Sequence, residues 1–176
     1  MLKFPKKRPP YLGTDVPADK SRIQVEQMLY SYGAEAVSVS TRADGRAQLR
    51  FIMEVPSTTE RGASKKVEVL IEPPVIQKIV KTWDANRGKA VEQLLPHHAA
   101  SWRLVFYYVK SKMDALAAGL SDFEKEFLAE TVVRDRTGRE TTVGRLVIPH
   151  IGHGEHLALE TPDGPVAEPT IVERGP

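Results

Sequence analysis

AVSVSTRADGRAQLRFIMEV, residues 36–55, contains the pattern from which the central structure is predicted. Apolar and polar residues alternate on both sides of Asp44-Gly45, a dipeptide typical of a tight turn between two strands. A third alternating stretch, Val67 to Ile71, follows the polar loop PSTTERGAS at 56–64. This pattern predicts a three-stranded antiparallel meander with one solvated face. The positions expected to face the core are Val37, Val39, Leu49, Phe51, Met53, Val55, Val67, Val69 and Ile71.

A helix is predicted before the meander. Val25, Met28, Leu29 and Tyr32 follow the spacing i, i+3, i+4, i+7, which places them on one helical face. Asp19 or Ser21 is the expected N-cap, and Ser21 with Gln24 has the spacing of a capping box. Gly33 is the expected C-terminal stop.

Two further helices are predicted after the meander. Ile76, Ile79, Val80 and Trp83 repeat the helical spacing, so we expect helical structure that breaks near Gly88 and ends before Pro96. The longest helix is expected from about His98 to Ala118, with a stripe of apolar side chains on one face.

The C-terminal third predicts a smaller appendage. Ser121 and Glu124 indicate a capped short helix, and a hairpin is expected to turn at 135–138. The predicted fold class is α+β: a three-stranded antiparallel meander, helices packed on one face, and a C-terminal helix-hairpin appendage. The expected organisation is an extended, basic, proline-rich arm at 1–18, a single domain at 19–150 and an irregular, partly disordered acidic tail at 151–176.

The composition excludes several kinds of chemistry. The 176 residues include no cysteine, which excludes disulfides, thiolate catalysis and cysteine-ligated zinc. A Walker A loop, a Gly-x-Gly-x-x-Gly motif and a nucleophile elbow are all missing from the sequence, so a binding protein is expected rather than an enzyme. Neither a membrane-spanning apolar run nor a secretory signal is found in the sequence, which favours a cytoplasmic location.

The segment HIGHGEH at 150–156 is the motif most typical of a metal site. Imidazole and carboxylate groups suit a divalent transition metal, and such a site would support a metal-dependent hydrolase. Gly152 and Gly154 distinguish the segment from the helical His-Glu-x-x-His motif, so a surface loop that binds metal weakly is the alternative. The candidate ligands are His150, His153, Glu155 and His156.

Basic residues grouped around a tyrosine favour contact with DNA or RNA. Arg103, Tyr107 and Lys110 share one face of the longest predicted helix, and further cations occupy the arm and the second loop. Such groups bind phosphates by charge and bases by stacking. The alternative is a solvated surface, since 25 basic residues form such groups in any protein. The candidate nucleic-acid-binding residues are Lys6, Lys7, Arg8, Arg61, Lys65, Lys66, Arg103, Tyr107, Lys110 and Lys112.

Two stretches, 16–39 and 101–144, contain a group of residues in a recognisable order. These are Ser21, Arg22, Glu26, Tyr32, Gly33 and Ala34, followed by Trp102, Arg103, Lys110, Lys112, Gly119, Phe123, Glu124, Glu126, Phe127, Leu128 and Ala129. In these residues the chain resembles a family of small proteins encoded in phage-like and other mobile elements. The resemblance implies that the protein acts in a nucleoprotein assembly or on a host machine, but it implies no particular chemistry.

The predicted order of elements over 21–95, a helix, three strands and a helix, also matches that of a double-stranded-RNA-binding domain. The lysine-rich opening of that family's second helix is absent here. Shared order of elements alone does not set function.

The sequence therefore predicts a non-enzymatic, nucleic-acid-associated accessory protein of a mobile element or larger nucleoprotein assembly. A protein–protein adaptor or inhibitor and a metal-dependent hydrolase are the alternatives. No cofactor is expected unless the histidine segment binds a metal.

Overall fold

A three-stranded antiparallel sheet forms the centre of the protein. The computed structural model describes residues 9–42, 46–56, 62–84, 88–135 and 137–151. β1 (Ala34–Thr41), β2 (Ala47–Pro56) and β3 (Ser64–Ile71) pair in chain order. Phe51 of β2 lies opposite Val37 of β1 and Val69 of β3, so the three residues share one face. The predicted meander and its inward-facing positions are confirmed.

Two long helices cover the apolar face of the sheet. These are α1 (Ala18–Ser31) and α2 (His98–Ala117), which pack against each other as well as on the strands. The bounds predicted for α2 are confirmed, and Gly119 follows it in a left-handed conformation with φ of 69°. The helices contribute Val25, Leu29, Trp102, Val105, Val109 and Met113 to the core.

Both predicted capping boxes are wrong. α1 begins one turn before the predicted box, with Pro17 at the N-cap and no capping side chain. Ser21 therefore lies inside the helix, fully buried, and its hydroxyl has no partner within the described residues. The short helix α3 (Phe123–Phe127) has Asp122, not Ser121, at its N-cap. Pro17 has no backbone N–H to leave unpaired and is tolerated at the start of a helix, so α1 begins there without a capping side chain.

The prediction of a helix between residues 76 and 95 is wrong. The segment forms an antiparallel hairpin of β4 (Gln77–Asp84) and β5 (Lys89–Pro96), a separate two-stranded sheet. β-branched residues such as Ile79, Val80 and Thr82 favour strands, and Gly88 (φ of 59°) adopts a turn conformation. The helix that follows the three strands is therefore α2, with the hairpin inserted before it.

The predicted C-terminal appendage is confirmed. α3 leads through a 3₁₀ turn at 128–130 into the hairpin of β6 (Val132–Arg134) and β7 (Glu140–Thr142), and then into α4 (Val143–Val147) and a second 3₁₀ turn. Thr131 forms a single antiparallel bridge with Val69 at the free edge of β3. Phe127 of α3 enters the core, where its ring meets that of Phe51 edge to face.

Among the described residues, no helix is long and apolar enough to cross a membrane. The predicted arm is described from Pro9 onward, where a turn at Tyr11–Thr14 leads into α1. Residues 1–8 and 152–176 lie outside the described part of the chain.

Candidate nucleic-acid interface

Arg103 and Tyr107 lie one turn apart on α2 and are brought into direct contact. The Arg103 Nη2 atom donates to the Tyr107 hydroxyl at 2.9 Å, and Nη1 donates to Oε1 of Gln24 on α1 at 2.9 Å. The guanidinium carbon stands 4.7 Å from the ring centroids of both Phe106 and Tyr107. Within the described ranges, Arg103 has no carboxylate partner. The Arg103 guanidinium is therefore oriented by two aromatic rings and an amide, and no carboxylate in the described ranges neutralises its charge.

Tyr11 brings the arm onto the same group. Its ring stacks on that of Tyr107, with centroids 5.1 Å apart and planes 12° from parallel. Tyr11 has a φ of 62°, a left-handed conformation that costs a non-glycine residue about 1–2 kcal/mol. Stacking and the turn hydrogen bond from Thr14 N to Tyr11 O (2.9 Å) offset that cost. Both rings stay more than a third exposed. We call Tyr11, Gln24, Arg103, Phe106 and Tyr107 the tyrosine–arginine cluster.

The predicted lysines lie elsewhere, and carboxylates neutralise them. Lys66 Nζ contacts Glu35 of β1 at 2.6 Å, and Lys65 pairs with Glu124 of α3. Lys65 and Lys66 are successive residues of a strand, so they point to opposite faces of the sheet. The hydrogen bond and charge of Glu35 raise the pKa of Lys66 above its ordinary value. Neither lysine is among the groups that contact Arg103 in the described residues.

Lys110 and Lys112 are also paired, in two different ways. Lys110 Nζ lies 2.5 Å from Asp114 one turn along α2, and this hydrogen bond raises the pKa of Lys110. The Lys112 side chain is only 15% exposed, and its ammonium group donates to the backbone oxygen of Glu126. It also lies 5.0 Å from the ring centroid of Phe127. Lys112 therefore anchors α3 to α2 and is not available to a ligand.

Several predicted residues lie outside the described part of the chain. These are Lys6, Lys7, Arg8 and Arg61 of the nucleic-acid set, and His153, Glu155 and His156 of the metal set. His150 is described, in the 3₁₀ turn after α4. In the ranges that the structure describes, no three His, Cys, Asp or Glu side chains are grouped to hold a metal. The metal hypothesis thus rests on residues whose positions are not described.

Sequence patterns missed a charge network on the outer face of the sheet. Arg50 of β2 contacts Glu68 of β3 at 2.5 Å and Glu140 of β7 at 3.1 Å. At the end of β3, Glu72 accepts hydrogen bonds from Gln48, Arg145 and Arg42. The positive charges of the arginines and the negative charges of the glutamates balance here. Because Glu140 and Arg145 belong to the appendage and their partners Arg50 and Glu72 do not, the network fixes the appendage to the sheet. The polar positions of β2 and β3 signalled this face, but not its partners on the appendage.

An apolar cavity of about 340 Å³ opens between the end of β3 and α2. The Tyr108 hydroxyl at its wall hydrogen-bonds Glu130, and burial together with that carboxylate raises the pKa of Tyr108. The second carboxylate oxygen of Glu130 is buried, and within the described residues it accepts no hydrogen bond. The lining comprises Leu70, Ile71, Glu72, Pro74, Leu104, Val105, Tyr108 and Glu130.

Comparisons with protein-family models, with curated proteins and with solved structures find no match. The resemblance to the mobile-element family therefore stays a prediction. Function is inferred from the geometry and charge of the sites described above.

Proposed function

We propose that the protein is a non-enzymatic, nucleic-acid-associated accessory protein that contacts single-stranded DNA or RNA through the tyrosine–arginine cluster. The observation that supports this most is the state of Arg103. Among the predicted basic residues that the structure describes, it alone lacks a carboxylate partner, and it is oriented by contacts that leave part of its guanidinium free.

The chemistry of the cluster suits a nucleotide. A guanidinium has five N–H donors, and Arg103 directs one from each terminal nitrogen to Gln24 and Tyr107. The remaining donors can bind a phosphate. Tyr11 stacks on one face of the Tyr107 ring and Arg103 lies over the same ring, so the surface left for an unpaired base is the outer face of Tyr11. Stacking there contributes about 1–3 kcal/mol for each base.

Basic residues of the arm directly precede the cluster in the sequence. Tyr11 is anchored on α2, and Lys6, Lys7 and Arg8 precede it in the sequence by three to five positions. The covalent chain thus tethers three cations to the cluster. A phosphate backbone that contacts Arg103 could continue along the arm, so we expect a salt-dependent affinity.

The test is binding of fluorescently labelled, short single-stranded and duplex DNA and RNA, measured by anisotropy across a salt series. We expect single strands to bind more tightly than duplexes. Arg103→Ala should weaken binding about tenfold and reduce the slope of log affinity against log salt by about 1. Tyr107→Ala should weaken binding by a similar factor with little change in slope, because it removes stacking and not charge.

Arg139→Ala is the matched control. Arg139 is an exposed arginine in the β6–β7 turn, paired with Asp135, so its loss changes net charge equally but away from the cluster. Circular dichroism establishes that each variant is folded. The proposal fails if wild-type protein binds no oligonucleotide at low salt, or if Arg139→Ala and Arg103→Ala reduce affinity equally.

A protein adaptor is the second candidate, and one observation favours it. All five tyrosines are more than a third exposed, including Tyr30 of α1, Tyr32 just after α1, and Tyr108 of α2. Exposed tyrosine and arginine are enriched at protein interfaces. A protein purified after nuclease treatment that retains a partner, and loses it on Arg103→Ala, would favour the adaptor over nucleic acid.

A further inference from the structure

The β4–β5 hairpin presents an apolar face that no part of the described chain covers. Residues directly opposite each other in an antiparallel pair point to the same side. Ile79 pairs with Leu94, Lys81 with Glu92 and Trp83 with Ala90, so these six residues share one face, here called the Trp83 face. Ile79 is 60%, Trp83 70% and Leu94 61% exposed.

Within the described residues, the hydrogen bonds that join the hairpin to the body lie at its base. Ile76, just before β4, is buried, and its backbone N–H donates to Ser101 Oγ of α2 at 3.3 Å. The N–H of His97, just after β5, donates to the Ile76 oxygen at 2.7 Å. Beyond this point each strand packs mainly on the other strand. A two-stranded hairpin is at best marginally stable alone, so this one needs a partner surface.

The side chains of the Trp83 face are arranged so that the face fits a copy of itself. Consider a twofold axis parallel to the strands, with the two faces about 10 Å apart, the usual spacing of packed sheets. Each β4 then lies over the partner's β5. Trp83 meets Ala90 of the other copy, a large side chain against a small one, and Ile79 meets Leu94. Apolar contacts therefore align at both ends of the face.

Charge selects the same arrangement. Lys81 and Glu92 lie between the two apolar pairs, with Nζ and Oε1 3.8 Å apart and both side chains exposed. Under this twofold, each Lys81 faces Glu92 of the other copy, which gives two further ion pairs. An axis perpendicular to the strands would place Lys81 against Lys81 and Glu92 against Glu92, which is repulsive.

We propose that the protein self-associates through the Trp83 face, with the hairpins of two copies packed face to face. The interface needs neither the tyrosine–arginine cluster nor nucleic acid, so it stands independently of the proposed function. It consists of apolar pairs at each end of the face, and ion pairs between them that set the register.

Sedimentation equilibrium of the full chain from micromolar to near-millimolar concentration tests the proposal. We expect a reversible dimer. Lys81→Glu and Glu92→Lys should each raise the dimer dissociation constant at least about tenfold, since each substitution reverses two symmetry-related pairs. Mixing the two variants should restore association as a heterodimer. In that heterodimer every carboxylate at the centre of one face lies opposite an ammonium group of the other, while the repulsion within each hairpin remains.

Lys78→Glu is the matched control, because Lys78 pairs with Leu95 on the opposite face of the same hairpin. It should leave the dissociation constant unchanged, as should Arg103→Ala. Trp83 gives a second readout: it is exposed whereas Trp102 is 3% exposed, so acrylamide quenching of fluorescence should fall as the protein concentration rises.

Three results would overturn the proposal. The first is a wild-type monomer over the whole concentration range. The second is a mixture of the two charge variants that stays monomeric although both are folded by circular dichroism. The third is protection of Trp83 that requires added oligonucleotide, which would make the hairpin a nucleic-acid contact, as in proteins that place a two-stranded ribbon in the major groove.

Discussion

Two antiparallel strand pairs of this protein, β2–β3 and β4–β5, have similar lengths and each contain several apolar residues, but their environments are opposite. In β2–β3 the inward-facing side chains are buried under α1 and α2. These are Leu49, Phe51, Met53, Val55, Val67, Val69 and Ile71. In β4–β5 the corresponding positions, Ile79, Trp83 and Leu94, are mostly exposed.

The difference shows that alternation defines a face but does not bury it. Burial of β2–β3 depends on helices that bring their own apolar stripes, including Trp102, Val105 and Val109. The β4–β5 pair follows the end of the sheet and lacks a covering layer within the described chain. The same kind of strand is thus part of the folding core in one place and a candidate contact surface in the other.

The largest expected difference between the two strand pairs is in the free energy of unfolding that is lost when one aromatic side chain of each pair is replaced by alanine. Phe51 is 1% exposed and contacts the rings of Phe123 and Phe127, so Phe51→Ala should lower the free energy of unfolding by about 3–5 kcal/mol. Trp83→Ala should lower it by less than about 1 kcal/mol in dilute protein. Urea denaturation followed by far-ultraviolet circular dichroism measures both.

Equal losses of stability for these two substitutions would contradict the comparison. They would mean that the Trp83 face is already buried in solution at the concentration used. Dilution then distinguishes burial against a second copy, which makes the loss concentration-dependent, from burial within one chain, which does not.

The short β6–β7 hairpin offers a second contrast, since its three-residue strands are held against the body whereas the longer strands of β4–β5 are not. The appendage that contains this hairpin is itself closely packed: a Cβ added to Gly144 of α4 would lie 2.8 Å from the backbone oxygen of Ala129 in the 128–130 turn. Gly144→Ala should therefore cost about 1–3 kcal/mol of stability through overpacking. Thermal unfolding measures this cost.

Gly13→Ala is the control for that substitution, because a Cβ at Gly13 meets no atom within 4 Å among the described residues. It should be nearly neutral. If Gly144→Ala were also neutral, α4 would not be packed closely on the 128–130 turn.

The fold can be predicted from the sequence wherever a pattern of apolar residues is compatible with a single type of secondary structure, which is its one structural solution. The alternation in β1 and β2 and the long stripe of α2 each have one, and both predictions are confirmed. The turn predicted at Asp44-Gly45 lies outside the described residues. The spacing of Ile76, Ile79, Val80 and Trp83 fits a helix and, because Ile79 and Trp83 are an even number apart, also one face of a strand. The β-branched side chains and the turn at Gly88 decided for the strand.

The candidate site was predictable only in part, for a different reason. Arg103 and Tyr107 are four apart on a helix, so their contact follows from spacing. Tyr11 and Gln24 join them through tertiary packing, for which the sequence has no periodic signal. The pairing of Lys65 with Glu124, and of Lys66 with Glu35, likewise depends on which strands and helices become neighbours.

The smallest expected effect is a difference in pH dependence between the ion pairs of Glu72, at the end of β3, and the ion pair of Glu92, in β5. Burial alone would raise the pKa of Glu72, but hydrogen bonds from Gln48 and Arg145 and the charges of Arg145 and Arg42 outweigh it and lower the pKa below its ordinary value of 4.5. A carboxyl group with a depressed folded-state pKa contributes stability above its unfolded-state pKa and loses that contribution as the pH falls through the folded-state value. Glu72→Gln should therefore cost about 1 kcal/mol near neutral pH.

The cost of Glu72→Gln should shrink once the pH falls below about 4.5, where the wild-type carboxyl group itself becomes protonated on unfolding. Glu92→Gln is the counterpart in the β4–β5 hairpin, where the pair with Lys81 spans 3.8 Å between exposed side chains. It should have no measurable effect on the stability of dilute protein at any pH, because exposed pairs contribute little. Urea midpoints of the three proteins from acid to neutral pH provide the comparison. A Glu72→Gln cost that stays constant over that range would mean that the contacts of Glu72 do not depend on its charge, and that its ion pair with Arg145 adds nothing to the attachment of the appendage.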